Sequence, residues 1–182
     1  IKDLKPGKKT FDDFVVPSQV NRMKQVITDW MPAIQKAEDI NNPSRRRLLD
    51  LYRTVELDAK ITGKIQNRIN TTVLQDFIIK KEDEDVEEIT KFFNNKWFRD
   101  LVFNILSTKL YGFTAIELQE VKNNKPIFKL VDRYHIDPYR EEVLKNIYDT
   151  SGIPISDFPY IIYIGEKEDL GLYNKLTQYY LY

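Results

Sequence analysis

Cysteine is absent from this sequence of 182 residues, and histidine occurs once. Without cysteine the chain can form no disulfide, no thiolate metal site and no cysteine nucleophile. The acidic run KEDEDVEE lacks the D-x-D-x-D-G arrangement of a calcium loop, and a solvated helix start is the better interpretation of it. We therefore expect no bound metal.

Glycine is also scarce, with six residues. The phosphate-binding patterns G-x-x-x-x-G-K-[ST] and G-x-G-x-x-G are missing, and so is the G-x-S-x-G pattern of serine hydrolases. A loop that cradles phosphate is therefore not expected. No catalytic pattern and no cofactor-binding pattern is present, so we expect no enzyme activity and no cofactor.

An excess of one charge is missing as well, because 28 basic and 28 acidic residues give a net charge of zero. A balanced chain has no bulk attraction for DNA or for a membrane surface. No apolar run approaches the roughly 20 residues of a membrane-spanning helix. Contact with nucleic acid would have to be local or created by assembly, and no contact with a membrane is expected.

What is present is a globular composition, with 42% hydrophobic and 31% charged residues. This length is enough for one ordinary domain or two small ones. The sequence begins at Ile1 and ends in LTQYYLY, an apolar and aromatic stretch without a stop signal. An exposed tail of this kind is a poor terminus, so we expect the sequence to be part of a longer protein.

Residues 1–43 are predicted to form an arm followed by a helix. The first sixteen residues favour an arm or an edge strand. Ser18 follows Pro17 and is a suitable N-cap for the helix. Pro32 falls inside the helical pattern and should kink or end it. The apolar stripe at helical spacing consists of Val20, Met23, Ile27, Trp30 and Ile34.

Residues 44–182 are predicted to form a second unit that opens with a long helix. The turn NNPS places an N-cap at Ser44, and apolar residues then recur every three or four positions, which predicts one helix from about residue 45 to 71. Gly63 lies inside it at a cost of about 1 kcal/mol against alanine, which favours close packing on a neighbouring helix. The run NTTVLQDFII then favours a strand.

The middle of the chain changes abruptly from helix to strand. An acidic run that suits a helix start leads into a helix that NNKW ends. In FRDLVFNILSTKLYGFTAIELQEV a second helix ends at Tyr111–Gly112, where Gly112 can take the left-handed conformation that closes a helix. Alternation then predicts a strand over 114–121 and a hairpin turn over 122–125.

The remaining segments continue this grouping. They predict a second strand in PIFKLVDRYHIDP, a strand-turn-strand excursion closed by Ser151–Gly152, a strand over 160–164 and a final helix. Because helices and strands are grouped and do not alternate strictly, the predicted class is α+β. We expect long helices packed on a small, mostly antiparallel sheet.

Two groups of residues are candidates for a site. His135 could be a general base, or could bind a metal with Asp132 or Asp137. A histidine with ordinary hydrogen bonds at a strand edge is the better interpretation. The run SRRR places three arginines, Arg45, Arg46 and Arg47, at a helix start, where free N–H groups and guanidinium groups bind phosphate. They could contact DNA or a partner, although a solvated helix face is favoured.

Several of these segments resemble the Mu-type family of tailed-phage portal proteins. The sharpest likeness is the helix that ends in Tyr111–Gly112 and continues at once as FTAIEL. The resemblance also covers NPSRRRLLDLYRTVELDAKITGKIQNRINTTVLQDFII, IFKLVDRYHIDPY and FPYIIYIGEKEDLGLYNKLTQYYLY, in the same order. It spans roughly residues 43–182. The loop GEKEDLGLYNKL is less rich in glycine than usual, and a segment corresponding to the stem and clip is absent.

The resemblance implies a structural subunit of a ring, usually of about a dozen copies, at one vertex of the capsid. Double-stranded DNA would pass through the ring during packaging and ejection. The implied partners are further copies of the chain, the packaging terminase, capsid proteins and head-tail connector proteins. The implied location is the virion, after assembly in the host cytoplasm. Residues 44–182 would be the wing-like part of the subunit, and Tyr111–Gly112 a structural joint.

Three other functions stay open from the sequence. The chain could be an adaptor or scaffold of a phage-like assembly that forms no ring. It could be a nucleic-acid-binding module that uses Arg45, Arg46 and Arg47. It could also be a hydrolase that uses His135.

Overall fold

The computed structural model describes residues 30–82 and 84–180. The predicted arm and the predicted cap at Ser18 lie outside the described residues. Within these two ranges, no helix has the length and apolar character needed to cross a membrane. The helices are α1 (Trp30–Ala37), α2 (Arg46–Glu56), α3 (Ala59–Val73), α4 (Glu87–Phe93), α5 (Lys96–Leu106), α6 (Thr108–Tyr111) and α7 (Gly171–Tyr180). The strands are β1 (Lys80–Lys81), β2 (Glu84–Asp85), β3 (Phe113–Lys122), β4 (Lys125–Leu130), β5 (Ile136–Asp137), β6 (Glu142–Val143), β7 (Ile153–Pro154) and β8 (Ile161–Gly165).

The strands form three small antiparallel sheets. The main sheet has the order β4-β3-β8, β5-β6-β7 form a second sheet, and β1-β2 form a two-stranded hairpin. The turn between β3 and β4 holds Asn123 and Asn124 at positive φ, 51° and 59°. Asparagine tolerates this conformation better than most residues, which confirms the predicted hairpin turn.

The core lies between α1, α2, α7 and the first half of β3. The first five residues of β3 are buried, whereas the later ones are partly exposed. The indole Nε1 of Trp30 donates to Asn174 Oδ1 at 3.0 Å, which ties α1 to α7. α2 supplies one wide apolar face to this core, made of Leu48, Leu49, Leu51, Tyr52 and Val55.

Helices α3, α4 and α5 form a more open layer beside the core. As far as the structure describes them, none of the three contains a fully buried residue. Their aromatic rings pack against one another and reach β4 through Trp97 and Phe128, whose centroids lie 6.3 Å apart. The other rings in this cluster are Phe77, Phe92, Phe93 and Phe98.

The single long helix predicted over residues 45–71 is wrong, because the chain bends between α2 and α3. The Asp58 carboxylate accepts from the backbone N–H of Lys60 at 2.8 Å and of Ile61 at 3.0 Å, so it caps a new helix. Aspartate is among the residues that best satisfy these free N–H groups. The Thr62 hydroxyl donates to the Glu56 carbonyl at 2.7 Å and supports the end of α2.

Three local predictions in this part of the chain need correction. Ser44 is not the N-cap of α2, since Arg45 occupies that position without a side-chain cap. No atom packs closely on Gly63, because an added Cβ would meet nothing within 4 Å. The strand expected in NTTVLQDFII is also absent, because α3 runs to Val73 and the strand β1 begins only at Lys80.

Two further helix boundaries differ from the predictions. Pro32 does not end its helix, which continues to Ala37. The helix expected to run to Leu110 is divided at Ser107 into α5 and α6. The Ser107 hydroxyl donates to the Asn104 carbonyl at 2.5 Å, a local bond that competes with regular helix geometry.

The main sheet and the final helix confirm the prediction for the second half of the chain. β3 covers the expected strand with one more residue at each end, β8 is shifted by one residue, and α7 follows the loop after Gly165. The predicted excursion is present as the short strands β6 and β7, which pair antiparallel. The fold class is α+β, as the grouping of elements predicts.

Candidate functional site

The junction between α6 and β3 brings several segments of the chain into close contact. Gly112 has φ +85° and closes α6, donating from its backbone N–H to the Thr108 carbonyl at 2.7 Å. The next residue, Phe113, begins β3 and is paired with Gly165 at the end of β8. A glycine at this position lets the backbone turn from helix to strand within one residue.

Three glycines from three segments meet at this junction. A Cβ on Gly112 would lie 2.0 Å from the Asp169 carbonyl oxygen, and a Cβ on Gly171, which has φ +74°, would lie 2.3 Å from the Leu110 carbonyl oxygen. A Cβ on Gly165 would lie 2.7 Å from the Phe113 Cβ. The loop between β8 and α7 therefore rests directly on the backbone of the junction, with no room for a side chain.

Helix α2 holds this loop from the other side. The Arg45 guanidinium donates from Nη2 to the Lys167 carbonyl at 2.6 Å and from Nη1 to the Asp169 carbonyl at 3.2 Å. The Tyr52 hydroxyl donates to the Leu170 carbonyl at 2.6 Å. These bonds fix the segment that Gly112 contacts, so the structure connects Arg45 with the Tyr111–Gly112 junction.

A second arginine, Arg133, binds the junction from the 3₁₀ turn that follows β4. Its Nη2 donates to Ser107 Oγ at 2.6 Å and to Thr114 Oγ1 at 3.1 Å. Its Cζ lies 3.9 Å from the centre of the Tyr111 ring, a cation–π contact. Arg133 therefore contacts both sides of the junction, the end of α5 and the start of β3.

Tyr111 lies between Arg133 and the carboxylate of Glu56. The Tyr111 hydroxyl donates to Glu56 Oε1, which links α6 to the end of α2. Burial raises the pKa of the Tyr111 hydroxyl, and the hydrogen bond to Glu56 raises this pKa further. Burial also raises the pKa of Tyr173, and the negative charge of Glu56 raises this pKa further. The ring centroids of Tyr173 and Tyr111 lie 5.1 Å apart. The opposite charges of Arg133 and Glu56 therefore offset each other beside Tyr111 and Tyr173, and both tyrosines are neutral.

The three arginines predicted as a contact cluster have different surroundings. Arg45 is 8% exposed, and burial lowers the pKa of its guanidinium. The Cζ of Arg46 lies 4.4 Å from the centre of the exposed Tyr148 ring. Arg47 is exposed. Arg45 is used inside the chain, whereas a contact of Arg46 and Arg47 with DNA or a partner stays a prediction.

A pocket of about 210 Å³ opens beside the start of α2. Four cationic residues line it, together with two carboxylates; they are Lys36, Arg45, Arg46, Arg133, Asp137 and Asp149. Arg140 Nη1 lies 3.3 Å from Asp137 Oδ2, which neutralises the buried carboxylate. The lining of the pocket therefore carries more positive than negative charge.

His135 is fully buried, in a 3₁₀ turn that precedes β5. Its Nδ1 lies 2.8 Å from the Leu144 carbonyl oxygen, and its own carbonyl accepts from the Leu144 N–H at 2.7 Å. Among the described residues, no group of three histidine, aspartate or glutamate side chains is placed to hold a metal ion. The surroundings of His135 are those of a residue that joins two segments of the core.

Sequence reasoning missed Arg133, Glu56 and the loop 166–170. No local pattern marks Arg133 or Glu56, because their partners lie far away in the sequence. A signal for the loop did exist, since Gly165 and Gly171 flank the polar run EKEDL. Glycines at both ends of a short loop indicate close backbone approach there.

Comparison with known proteins places these elements in a family. The family model of the portal protein of Mu bacteriophage matches residues 49–182. That range includes most of α2 and the whole of the Tyr111–Gly112 junction with the loop that rests on it. No curated protein and no solved structure matches the chain. Because the family model covers most of the sequence, the chain belongs to the family of portal proteins of Mu-type bacteriophages.

Proposed function

We propose that the chain is a structural subunit of a phage portal ring at a capsid vertex. The observation that carries this proposal is the match to the portal family over residues 49–182. The ring would form part of the channel through which double-stranded DNA is packaged and ejected. Residues 44–182 would be its wing-like part, and the division from residues 1–43 stays a prediction.

The use of the polar groups at the junction supports a structural role. Arg45, Arg133 and Tyr111 are all engaged in hydrogen bonds that connect one segment of the chain to another. A nucleophile or general base needs access to a substrate. We therefore propose that the Tyr111–Gly112 joint fixes the position of the helix relative to the sheet. We also propose that the chain is not an enzyme and needs no cofactor.

The partners that follow from this proposal are those of a portal. They are further copies of the chain, the packaging terminase, capsid proteins and head-tail connector proteins, in the virion and before that in the host cytoplasm. DNA would pass without tight binding, because strong phosphate contacts would impede sliding. The net charge of zero is compatible with such a passage.

Electron microscopy of the purified full-length protein tests the proposal. We expect closed rings with an open central channel. A protein that stays monomeric over a wide concentration range, or that binds only to other structural proteins, would favour an adaptor or scaffold and contradict the proposal. Salt-sensitive DNA binding by single subunits, lost in Arg47→Ala, would favour a nucleic-acid-binding module. A hydrolase activity lost in His135→Ala would contradict a purely structural role.

A further inference from the structure

One face of α3 carries only positive charge. Lys60, Lys64 and Arg68 follow one another at intervals of four residues, so they lie in a row along the helix; we call this row the basic ridge. All three are exposed, and no acidic residue occurs in Ala59–Val73. Within the described part of the chain, none of the three takes part in an ion pair.

The basic ridge does not face the core. Ile61, Ile65 and Ile69 lie on another side of α3 and pack against the core residues. The side chains of the ridge are exposed to solvent instead. A row of three cations with no acidic neighbour on its own helix has a net repulsion that an acidic surface would relieve.

The same chain carries an acidic surface at the start of α4. Glu82, Glu84, Asp85, Glu87 and Glu88 are exposed, and we call them the acidic turn. Two of the five are neutralised locally. Asp85 lies 3.8 Å from Lys80, and Glu87 lies 2.9 Å from Lys91. In the residues that the structure describes, the other three carboxylates have no ion-pair partner.

Three apolar residues that lie between the basic ridge and the acidic turn along the sequence have exposed side chains. Leu74 is 62% exposed, Ile78 is 62% exposed and Phe77 is 36% exposed. Protein interfaces combine an apolar centre with a polar rim. A surface that only contacts DNA has no use for exposed leucine and isoleucine, so this arrangement favours a protein partner.

We propose that the basic ridge of one copy docks on the acidic turn of the next copy, head to tail, with Leu74, Phe77 and Ile78 in the contact. Charge complementarity carries this inference, because each copy has a basic surface on α3 and an acidic surface at the start of α4. A heterologous contact of this kind closes into a ring if the rotation between copies allows it. The inference rests on the proposed function and specifies which surfaces of neighbouring subunits meet.

Charge reversal in the full-length protein tests the contact. One variant carries Lys60→Glu, Lys64→Glu and Arg68→Glu, and a second carries Glu82→Lys, Glu84→Lys and Glu88→Lys. A matched control carries Lys122→Glu, Lys125→Glu and Lys145→Glu, which are exposed elsewhere and change the net charge by the same amount as the first variant. Ring fraction is measured by native mass spectrometry, and thermal unfolding checks that each variant is folded.

Each reversed variant alone should assemble about tenfold less well than the control, because like charges then face each other. Mixing the two reversed variants should restore rings, since every ridge then meets a turn of opposite sign. The chain that carries both reversals should also assemble by itself.

Three results would overturn the inference. If wild-type rings form and both reversed variants assemble as well as the control, the contact lies elsewhere and the proposed function stands. If wild-type protein forms no ring at all, the proposed function fails together with the inference. If the variant with the reversed ridge binds DNA less well but forms the same fraction of rings, the ridge contacts DNA. This result would also overturn the inference.

Discussion

At the scale of single residues, Gly112 and Gly63 offer the sharpest contrast. Gly112→Ala places a methyl group at φ +85° and against the Asp169 carbonyl, so it should lower the free energy of unfolding by about 2 kcal/mol or more. Gly63→Ala adds a methyl group in open space within α3 and should raise that free energy by up to about 1 kcal/mol. Urea denaturation of both variants measures the difference. A neutral Gly112→Ala would contradict the close contact at the junction.

Arg45 and Arg47 separate a structural arginine from an exposed one. A lysine offers one Nζ in place of the two guanidinium nitrogens that bind the Lys167 and Asp169 carbonyls, so Arg45→Lys should cost roughly 1–3 kcal/mol of stability. Arg47→Lys is the control and should stay within about 0.5 kcal/mol of wild type. Equal effects of the two substitutions in urea denaturation would show that Arg45 does not hold the loop 166–170.

Residue roles could be predicted only where the signal is local. Gly112 could be identified because the periodic helix stops there and a strand pattern starts. The role of Arg45 could not, since its acceptors lie 122 and 124 residues further along the chain. Arg133 is similar, because its contacts with Ser107 and Thr114 exist only after β4 has folded back on β3.

At the scale of elements, the bend between α2 and α3 depends on the Asp58 cap. Asp58→Ala removes the acceptor for the Lys60 and Ile61 N–H groups and should cost about 1 kcal/mol. Asp58→Asn keeps a capping oxygen and is the matched control. It should lower the free energy of unfolding by only about a few tenths of a kcal/mol. Circular dichroism during urea denaturation measures both. An alanine variant as stable as the asparagine variant would mean that the bend does not need this cap.

The contact between α2, α6 and α7 should be sensitive to alkali. Burial raises the pKa of Tyr52, Tyr111 and Tyr173 above the ordinary value, so the folded protein keeps protons that the unfolded chain loses. The stabilising contribution is therefore complete below about pH 10 and is lost as the pH rises above it. We expect the free energy of unfolding to fall above that pH, with tyrosinate absorbance that develops together with unfolding.

Two phenylalanine variants provide the control for this pH dependence. Tyr173→Phe removes one buried phenol and should make the alkaline loss of stability less steep. Tyr148→Phe removes a phenol whose residue is 69% exposed and should leave the pH profile unchanged. Full tyrosinate absorbance in the folded protein near the ordinary pKa would contradict the burial of these hydroxyl groups.

Element types were more predictable than element ends. The hairpin turn at Asn123–Asn124 follows from the conformational tolerance of asparagine, and β3 follows from its alternation. The division of α2 from α3 was missed because apolar residues recur on both sides of it. The spacing of only two residues between Ala59 and Ile61 was the available sign that the helical stripe changes phase there.

At the scale of the whole molecule, the described chain combines a dense unit with an open layer. The dense unit contains the joint at Tyr111–Gly112, the loop 166–170 and the arginines that hold them. The open layer contains α3, α4 and α5; α3 carries the basic ridge, and the acidic turn lies at the start of α4. In our account the first keeps each subunit rigid and the second meets the neighbouring subunit.

The proposed ring and its interfaces do not follow from physical patterns in the sequence. Net charge, apolar stripes and turn residues determine how one chain folds, and many unrelated functions share an α+β fold. The resemblance around Tyr111–Gly112 supplied the family, and the family model confirms it. In our proposal, the surfaces on which copies meet are the charged rows that stay unpaired after folding, and these depend on the folded structure.

The measurement that tests the central claim most directly is the mass of the assembly formed by the full-length protein, determined by native mass spectrometry. Our account predicts a single closed oligomer of about a dozen subunits that persists on dilution. A monomer or dimer over the whole concentration range would contradict the account and would leave the chain as a portal-family protein that does not build a ring.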